Sequence, residues 1–362
     1  MAKVMLVGGG TGGHIYPNLA LVPALERRGL EVVYGGEEGE SAEARLAALN
    51  GIPFFGVPCV KFRRSVSLES LKNNASIPRK LSEGKRRAEK ILRAEKPDIV
   101  FSKGGFAALP FVLAAARLGL PVVCHESDST LGLSNRIARR KGARVLTAYP
   151  EVGFGEFVGM PVREELFCRD RETARRGLCI EKGLPVLLAV GGSSGATAIN
   201  EAVIAALPEL TRFCAVIHVS GKGKNSDLPP RSARYVPLPY CDDIATLYAA
   251  SDVVLSRAGA TAVAEISALK KRAVFVPLPK GVSRGDQVPN ARLAEKYGAL
   301  VLVQNDKFRE NLVPAIRRAL ETPPMRRIAS DTGGKIAEII DDTIRRGVKC
   351  KDKKPSPNGS PS

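Results

Sequence analysis

The sequence predicts an α/β chain of two doubly wound domains, each a parallel sheet covered by helices on both faces. Three observations carry this. Short apolar runs alternate with segments of helical periodicity along nearly the whole chain. An apolar strand, a glycine turn and a helix occur together twice, near residues 3–25 and again near 185–207. A length of 362 residues with 44% hydrophobic content is enough for two buried cores.

In the first half, strands are expected at residues 3–7, 31–34, 98–101, 121–124 and 144–146. Helices are expected at 17–28, 42–49, 81–94, 109–118 and 133–140. The second half begins near residue 161, with strands at 185–190, 213–219, 253–255, 273–276 and 300–303. Its helices are expected at 198–207, 243–249, 261–269, 289–296, 310–320 and 324–346. The division is thus a domain over 1–160, a second over 161–347 whose last helix packs back on the first, and a disordered tail over 348–362, rich in Lys, Pro, Ser and Gly. In open sheets of this kind ligands bind beyond the carboxyl ends of the strands, so two such edges facing each other would form a cleft.

Composition bounds the function. The net charge of +18 suits a phosphate-bearing substrate, an anionic membrane surface or a nucleic acid. Tryptophan is absent and aromatics make up 5%, which argues against base stacking and hence against nucleic acid. Seven scattered cysteines without a CxxC, and three histidines, argue against a metal site and for a reduced, cytosolic setting. The apolar run at residues 4–7 is too short for a secretory signal, and no segment reaches the roughly 18 apolar residues of a membrane span. Between residues 61 and 93, Lys61, Arg63, Arg64, Lys72, Arg79, Lys80, Lys85, Arg86, Arg87, Lys90 and Arg93 interleave with Phe62, Val66, Leu68, Leu71, Ile77 and Leu81. This reads either as a solvated basic helix face or as an amphipathic patch for an anionic bilayer, where each cation contributes about 1 kcal/mol.

Two stretches carry chemistry. Gly8-x-Gly10-x-x-Gly13 has the spacing of a dinucleotide loop. The second strand ends Val33-Tyr34-Gly35-Gly36 with Glu37 and Glu38 following, so a nicotinamide site stays open though nothing else supports one. His14 comes next, at the mouth of the turn, as a structural helix-start histidine or as a general base. Later, a strand ending at Leu255 is followed by small residues and a helix beginning near Thr261, with Glu265 in its first turn. That carboxylate either answers the helix dipole or accepts from both hydroxyls of a ribose, with the small residues letting backbone approach a diphosphate.

The ordered motifs resemble a known family. Gly9-Gly10-Thr11-Gly12-Gly13-His14-Ile15-Tyr16-Pro17 is similar to the GGTGGHxxP signature of the MurG family of peptidoglycan N-acetylglucosaminyltransferases. Lys103-Gly104-Gly105-Phe106, His125-Glu126, Gly132-Leu133-Ser134-Asn135 and Pro161-Val162-Arg163 come after it in the family's order. So do Gly191-Gly192-Ser193-x-Gly195-Ala196, Arg257-x-Gly259-Ala260-x-x-x-x-Glu265 and Asp286-Gln287-x-x-Asn290-Ala291. The resemblance spans residues 3–345 and implies the GT-B fold, two Rossmann-like domains with parallel sheets facing across a cleft.

It also implies inverting transfer of GlcNAc from UDP-GlcNAc to the C4 hydroxyl of MurNAc in undecaprenyl-pyrophosphoryl-MurNAc-pentapeptide. The setting would be the cytoplasmic face of the bacterial inner membrane, in cell-wall synthesis, cell shape and division. UDP-GlcNAc is then a substrate and no cofactor is expected. Carried over, the resemblance makes His14 catalytic. It gives Arg163 and Ser193 to the diphosphate, Glu265 to the ribose, the backbone of Ala260, Thr261, Ala262, Val263 and Ala264 to the diphosphate and sugar, Gln287 to the sugar hydroxyls and the backbone near Cys241 to the uracil edge. Thr11, Gly12 and Gly13 would touch both donor and acceptor, and Gly10, Gly104 and Gly105 the acceptor. Asp128 stands where the family usually has an Asn against the donor sugar, so it can accept from a hydroxyl and cannot donate as an amide does. A diacylglycerol glycosyltransferase and a UDP-GlcNAc 2-epimerase share the fold and stay open as alternatives. A nicotinamide dehydrogenase is a more distant one.

Overall fold

A computed structural model describes residues 1–60, 77–192, 195–221, 223, 228–279 and 285–352, with backbone alone at 151 and 348–352. The chain divides into two compact units. Unit 1 comprises residues 1–126, 131–161 and 331 onward; unit 2 comprises 127–130 and 162–330. Residues of the basic stretch from 61 to 76, Ser193, and the tail from 353 lie outside the described residues.

Unit 1 is a parallel sheet of seven strands in the order β3-β2-β1-β4-β5-β6-β7. The strands are β1 (Lys3–Val7), β2 (Glu31–Glu37), β3 (Phe54–Val57), β4 (Ile99–Ser102), β5 (Val122–Glu126), β6 (Arg144–Thr147) and β7 (Glu156–Phe157). β1 is a continuous apolar run because a central parallel strand is covered on both faces. Val4 and Leu6 pack on one side with Tyr34, Phe101 and the helices α2 (Val22–Glu26) and α13 (Thr332–Asp352). Met5 and Val7 pack on the other with α4 (Ile77–Glu95) and α5 (Leu109–Leu118). α1 (Gly12–Leu19), α3 (Ala42–Leu49) and α6 (Leu133–Arg140) complete the unit.

Unit 2 repeats the plan with six parallel strands in the order β10-β9-β8-β11-β12-β13. These are β8 (Val186–Val190), β9 (Ala215–Val219), β10 (Tyr235–Leu238), β11 (Val253–Ser256), β12 (Arg272–Phe275) and β13 (Leu300–Val301). Leu187 and Ala189 face α8 (Thr197–Leu210) and α12 (Phe308–Glu321); Val186 and Leu188 face α9 (Ile244–Ala250), α10 (Ala260–Ala268) and α11 (Gln287–Lys296). α7 (Arg171–Gly177) is capped by Asp170, which accepts from the Thr173 N–H. The two Rossmann-like sheets are the fold that the sequence predicts.

Four expectations need correction. The first helix starts at Gly12 and not at Pro17, and a break at Ala20–Leu21 splits the expected 17–28 helix into α1 and α2. Pro17 lies inside α1, where its missing N–H removes one helical bond. Glu265 is the sixth residue of α10, beyond the first turn, which weakens the dipole argument for it. Finally, residues 324–331 are not helical. Met325, Arg326 and Ile328 bond through their N–H groups to Lys271 O, Tyr297 O and Ser267 Oγ of unit 2, and the last helix, α13, runs from Thr332 to Asp352, into the stretch expected to be disordered.

Candidate active site

In each sheet the strand order reverses beside the first strand, between β1 and β4 in unit 1 and between β8 and β11 in unit 2. A ligand crevice opens at such a switch point, beyond the carboxyl ends of the two strands. β1 leads into Gly8–Gly13 and β4 into Lys103–Phe106, so register alone brings these two loops together.

Side chains fix that meeting. The Tyr34 hydroxyl donates to Gly8 O at 2.8 Å and accepts from Asn18 Nδ2 at 3.1 Å. Glu43, almost wholly buried, accepts the Gly10 N–H at 3.3 Å on Oε2 and the Glu37 N–H at 3.2 Å on Oε1. The Gly10 N–H is therefore spent inward, on a carboxylate. The Phe106 ring covers Gly10 where a Cβ would stand. Gly105, at φ +81°, lies so near that a Cβ there would come within 3.0 Å of Gly9 O and 3.1 Å of the His14 ring.

His14 is the third residue of α1, behind Gly12 and Gly13, whose N–H groups are among those that a helix start leaves without intrahelical partners. Thr11 is the N-cap, exposed and extended, and the His14 N–H returns to its carbonyl at 3.0 Å. The half-buried imidazole lies 3.1 Å through Nδ1 from Lys103 O. A carbonyl only accepts, so Nδ1 carries the proton and Nε2 is the basic nitrogen of the neutral ring.

Behind this lies a second histidine. His125 is fully buried, its Nε2 2.7 Å from Gly159 O and its Nδ1 2.6 Å from Lys103 Nζ. Burial first, and the Lys103 charge second, hold its pKa well below the ordinary value, so the ring is neutral. Next to it Glu126 Oε2 accepts from Gly132 N at 2.8 Å and Asn135 Nδ2 at 3.0 Å, closing the turn after β5. Gly104 packs against the Asn135 amide.

In unit 2, β8 leads into the second glycine loop and β11 into Arg257-Ala258-Gly259 at the start of α10. Gly195 has φ +67° and backs onto the Ser220 carbonyl. Glu265 is buried. Its Oε1 takes Arg163 Nη2 at 3.2 Å and its Oε2 the Tyr248 hydroxyl at 3.4 Å. Burial pushes this carboxyl up, and Arg163 and Tyr248 oppose the shift. Arg163 gives Nη1 to the exposed Glu165 at 2.9 Å. Arg257 is buried too, donating to Val276 O and Gln304 Oε1, which ties β11 to its neighbours. Asp128 accepts from Asn290 Nδ2 at 3.3 Å, and Asn290 also reaches Ala258 O. Gln287 opens α11 and accepts the Leu278 N–H at 3.0 Å through Oε1.

The structure thus gathers Gly10, Thr11, Gly12, Gly13, His14, Gly104 and Gly105 at one switch point. In unit 2 it pairs Arg163 with Glu265 and ties Asp128 to α11. Thr11, Gly12 and Gly13 belong to unit 1, while Arg163, Glu265 and Gln287 belong to unit 2. Val263 and Ala264 are buried, and the Val263 N–H is given to Gly259 O at 3.0 Å inside the helix. Cys241 is half-buried against the same core, and burial raises its thiol pKa. Sequence reasoning gives no role to Glu43, Tyr34, Tyr248 or the Lys103 side chain. Lys103 and His125 stand inside motifs, whereas Glu43 carries no signal, being one charged residue on an ordinary helix.

Among known proteins, residues 4–147 match the glycosyltransferase family 28 N-terminal domain and residues 186–342 match its C-terminal domain. The UDP-N-acetylglucosamine–N-acetylmuramyl-(pentapeptide) pyrophosphoryl-undecaprenol N-acetylglucosamine transferase of Lachnospira eligens is 41% identical over 327 residues, which cover 88% of this chain and 91% of the relative. The enzyme of that name from Geobacillus thermodenitrificans is 39% identical over 328 residues, with the same coverage of 88% and 91%. Among solved structures, MurG of Acinetobacter baumannii superposes with a TM-score of 0.65 at 25% identity, covering 96% of this chain and all of that one. The calicheamicin glycosyltransferase CalG4 superposes at 0.63 with 17% identity over 96% of this chain and 99% of its own, a likeness of fold.

Proposed function

The chain belongs to glycosyltransferase family 28, in its MurG branch, and we propose that it moves GlcNAc from UDP-GlcNAc to the C4 hydroxyl of MurNAc in undecaprenyl-pyrophosphoryl-MurNAc-pentapeptide. The observation that carries the chemistry is His14, held by Lys103 O in the tautomer that makes Nε2 a base, at the N-terminus of a helix. The acceptor hydroxyl attacks the anomeric carbon from the face opposite UDP. The new C1–O4 bond forms as the C1–phosphate oxygen bond breaks, the proton passes to His14 Nε2, and the configuration inverts.

The N–H groups of Gly12 and Gly13, with the loop at Gly104 and Gly105, suit the acceptor's pyrophosphate. Thr11, at the N-cap, stands beside them. Gly10 serves that loop by its shape, its N–H being given to Glu43. Unit 2 takes the nucleotide. Glu265 accepts from the ribose hydroxyls through lone pairs beyond those given to Arg163 and Tyr248. Arg163, the second glycine loop with Ser193, and the backbone of residues 260–264 meet the diphosphate, where charge develops as UDP leaves. Gln287 and Asp128 face the sugar, and the backbone at Cys241 the uracil. No cofactor beyond the donor is required.

No helix among the described residues is long and apolar enough to cross a membrane. We assign the basic stretch to the anionic cytoplasmic surface of the inner membrane, bound peripherally. α4 supports this. It buries Gly84, Ala88 and Leu92 and exposes Arg79, Lys80, Arg86, Lys90 and Arg93.

The deciding experiment offers labelled UDP-GlcNAc with the lipid-linked MurNAc-pentapeptide. Labelled GlcNAc appears on the acceptor. Free ManNAc in its place would identify an epimerase, and transfer to diacylglycerol alone would identify the other rival. Neutralising Arg63, Arg64, Arg79 and Lys80 weakens binding to anionic vesicles, at about 1 kcal/mol per charge near the surface. Unchanged vesicle binding would return the stretch to a solvated helix face.

A further inference from the structure

The transfer reaction draws on the carbonyl of Lys103 and gives its buried side chain no part. That side chain is 1% exposed. Its Nζ lies 2.6 Å from His125 Nδ1 and 3.5 Å from Met160 Sδ. Since His125 Nε2 faces the Gly159 carbonyl at 2.7 Å, the proton of that ring sits on Nε2 and Nδ1 must accept from the lysine. Lys103 therefore stands between two histidines of opposite tautomer. Its main chain accepts from Nδ1–H of His14, and its side chain donates to the bare Nδ1 of His125.

The anchor matters because the next two residues are glycines. Gly104 and Gly105 both have left-handed φ, +82° and +81°. The peptide ahead of them is held in the main chain by the Lys103 N–H on Val7 O at 2.9 Å and the Gly104 N–H on Ser102 Oγ at 3.1 Å. The Lys103 side chain adds a third tether where the backbone then turns left-handed twice. A carbonyl holds a tautomer only where it is itself held. We propose that Lys103 is a positioning residue for His14: its side chain, moored through His125 to Gly159, fixes the carbonyl that keeps the proton on Nδ1 and the basic lone pair on Nε2. The inference rests on His14 being the base. Methionine at this position would fill the same space but give His125 Nδ1 no donor, leaving a buried acceptor unsatisfied and the loop loosened.

The test reads tautomers directly, and the chain has three histidines to resolve. In protein labelled with 15N-histidine, long-range proton–nitrogen correlation shows Nδ1–H at His14 and Nε2–H at His125. In Lys103→Met, His14 becomes a mixture of tautomers, and kcat falls about tenfold while KM for UDP-GlcNAc stays within about twofold. Nε2–H at His14 in the wild-type protein overturns the proposal. So does a folded Lys103→Met with an unchanged His14 tautomer and kcat within about twofold of wild type. Should Lys103→Met not fold, the wild-type tautomers still decide. Should His14→Ala keep full turnover, the base reading fails, while the tautomer measurement reports on the tether independently of activity.

Discussion

Beneath the glycine loop at residues 8–13 lie side chains; beside Gly191 and Gly195 of the second glycine loop lies backbone. The first rests on the Tyr34 hydroxyl, the Glu43 carboxylate and the Phe106 ring, and leads directly to His14. The second has Gly195 against the Ser220 carbonyl and Gly191 against the Ala196 backbone, and in the same unit Arg163 pairs with Glu265. Both are strand–glycine–helix units. A glycine turn thus states only that something approaches the backbone closely. What is done there depends on the groups the fold places behind it. A loop braced by buried polar side chains holds a titratable group in one geometry, as proton transfer needs. A loop braced by backbone leaves room for a diphosphate.

The largest expected effect separates the two loops by kinetics. His14→Ala lowers kcat by about 10²- to 10⁴-fold and leaves UDP affinity in place, because general-base catalysis acts in the transition state. Glu265→Gln does the reverse: UDP affinity falls about tenfold through weakened ribose contacts, and kcat at saturation changes far less. Isothermal titration with UDP beside steady-state kinetics measures both. Turnover of His14→Ala near the wild-type value would sink the base assignment, and equal losses of UDP affinity in the two variants would erase the distinction between the loops.

The next effect concerns what the units share. Each buries a neutral histidine. In unit 2, His218 lies 3.1 Å through Nδ1 from the Tyr235 hydroxyl and 3.2 Å through Nε2 from Asn200 Oδ1, while Asn200 Nδ2 donates to Ser220 O beside Gly195. Burial lowers its pKa from 6.5 to about 4. Between those values the unfolded chain binds the proton and the folded chain does not, so this contribution to stability is complete above pH 6.5 and is lost as pH falls toward 4. The shift corresponds to on the order of 3 kcal/mol. Hydrogen exchange of β8 and β9 amides across that range should show the loss, and His218→Gln should flatten its slope. An equal slope in the variant would place the acid sensitivity elsewhere.

Sequence reasoning reads what is local and misses what is assembled. β1, α3, α5 and α6 fall on their expected bounds because period and flanking residues suffice for them. β10 and α7 escape notice. β10 is four residues with Pro237 inside, and α7 is a short, charged helix with little apolar periodicity. α1 is expected too late because glycine, a poor helix former, fills its first two positions, where a helix start asks for little propensity. The motif residues around His14 are legible as a set. Their supports are not. Glu43 stands 33 positions from Gly10, Lys103 stands 89 from His14, and Tyr248 stands 17 from Glu265. Only the folded sheet order brings such partners together, so no spacing rule finds them.

The smallest expected effect tests whether Arg163 serves the diphosphate or only holds Glu265. Its guanidinium is shared between the buried Glu265 and Glu165, whose side chain is 63% exposed. Arg163 itself is 16% exposed, but with the Glu165 end open to solvent the pair contributes only about 0–1 kcal/mol, so Glu165 is a weak competitor for Nη1. A diphosphate offers two charges and several acceptor oxygens and displaces it. Glu165→Gln removes that competitor and one negative charge near the ligand. UDP should then bind about two- to fivefold tighter at low ionic strength, with the gain shrinking as salt screens exposed charges. Titrations of both proteins with UDP and with uridine separate the cases, because uridine lacks the diphosphate and should bind them equally. A gain with uridine as large as that with UDP would mean that Glu165 acts on the ribose side through Glu265. No gain with either ligand would confine Arg163 to holding Glu265 in place and pass the diphosphate to the second glycine loop and the start of α10.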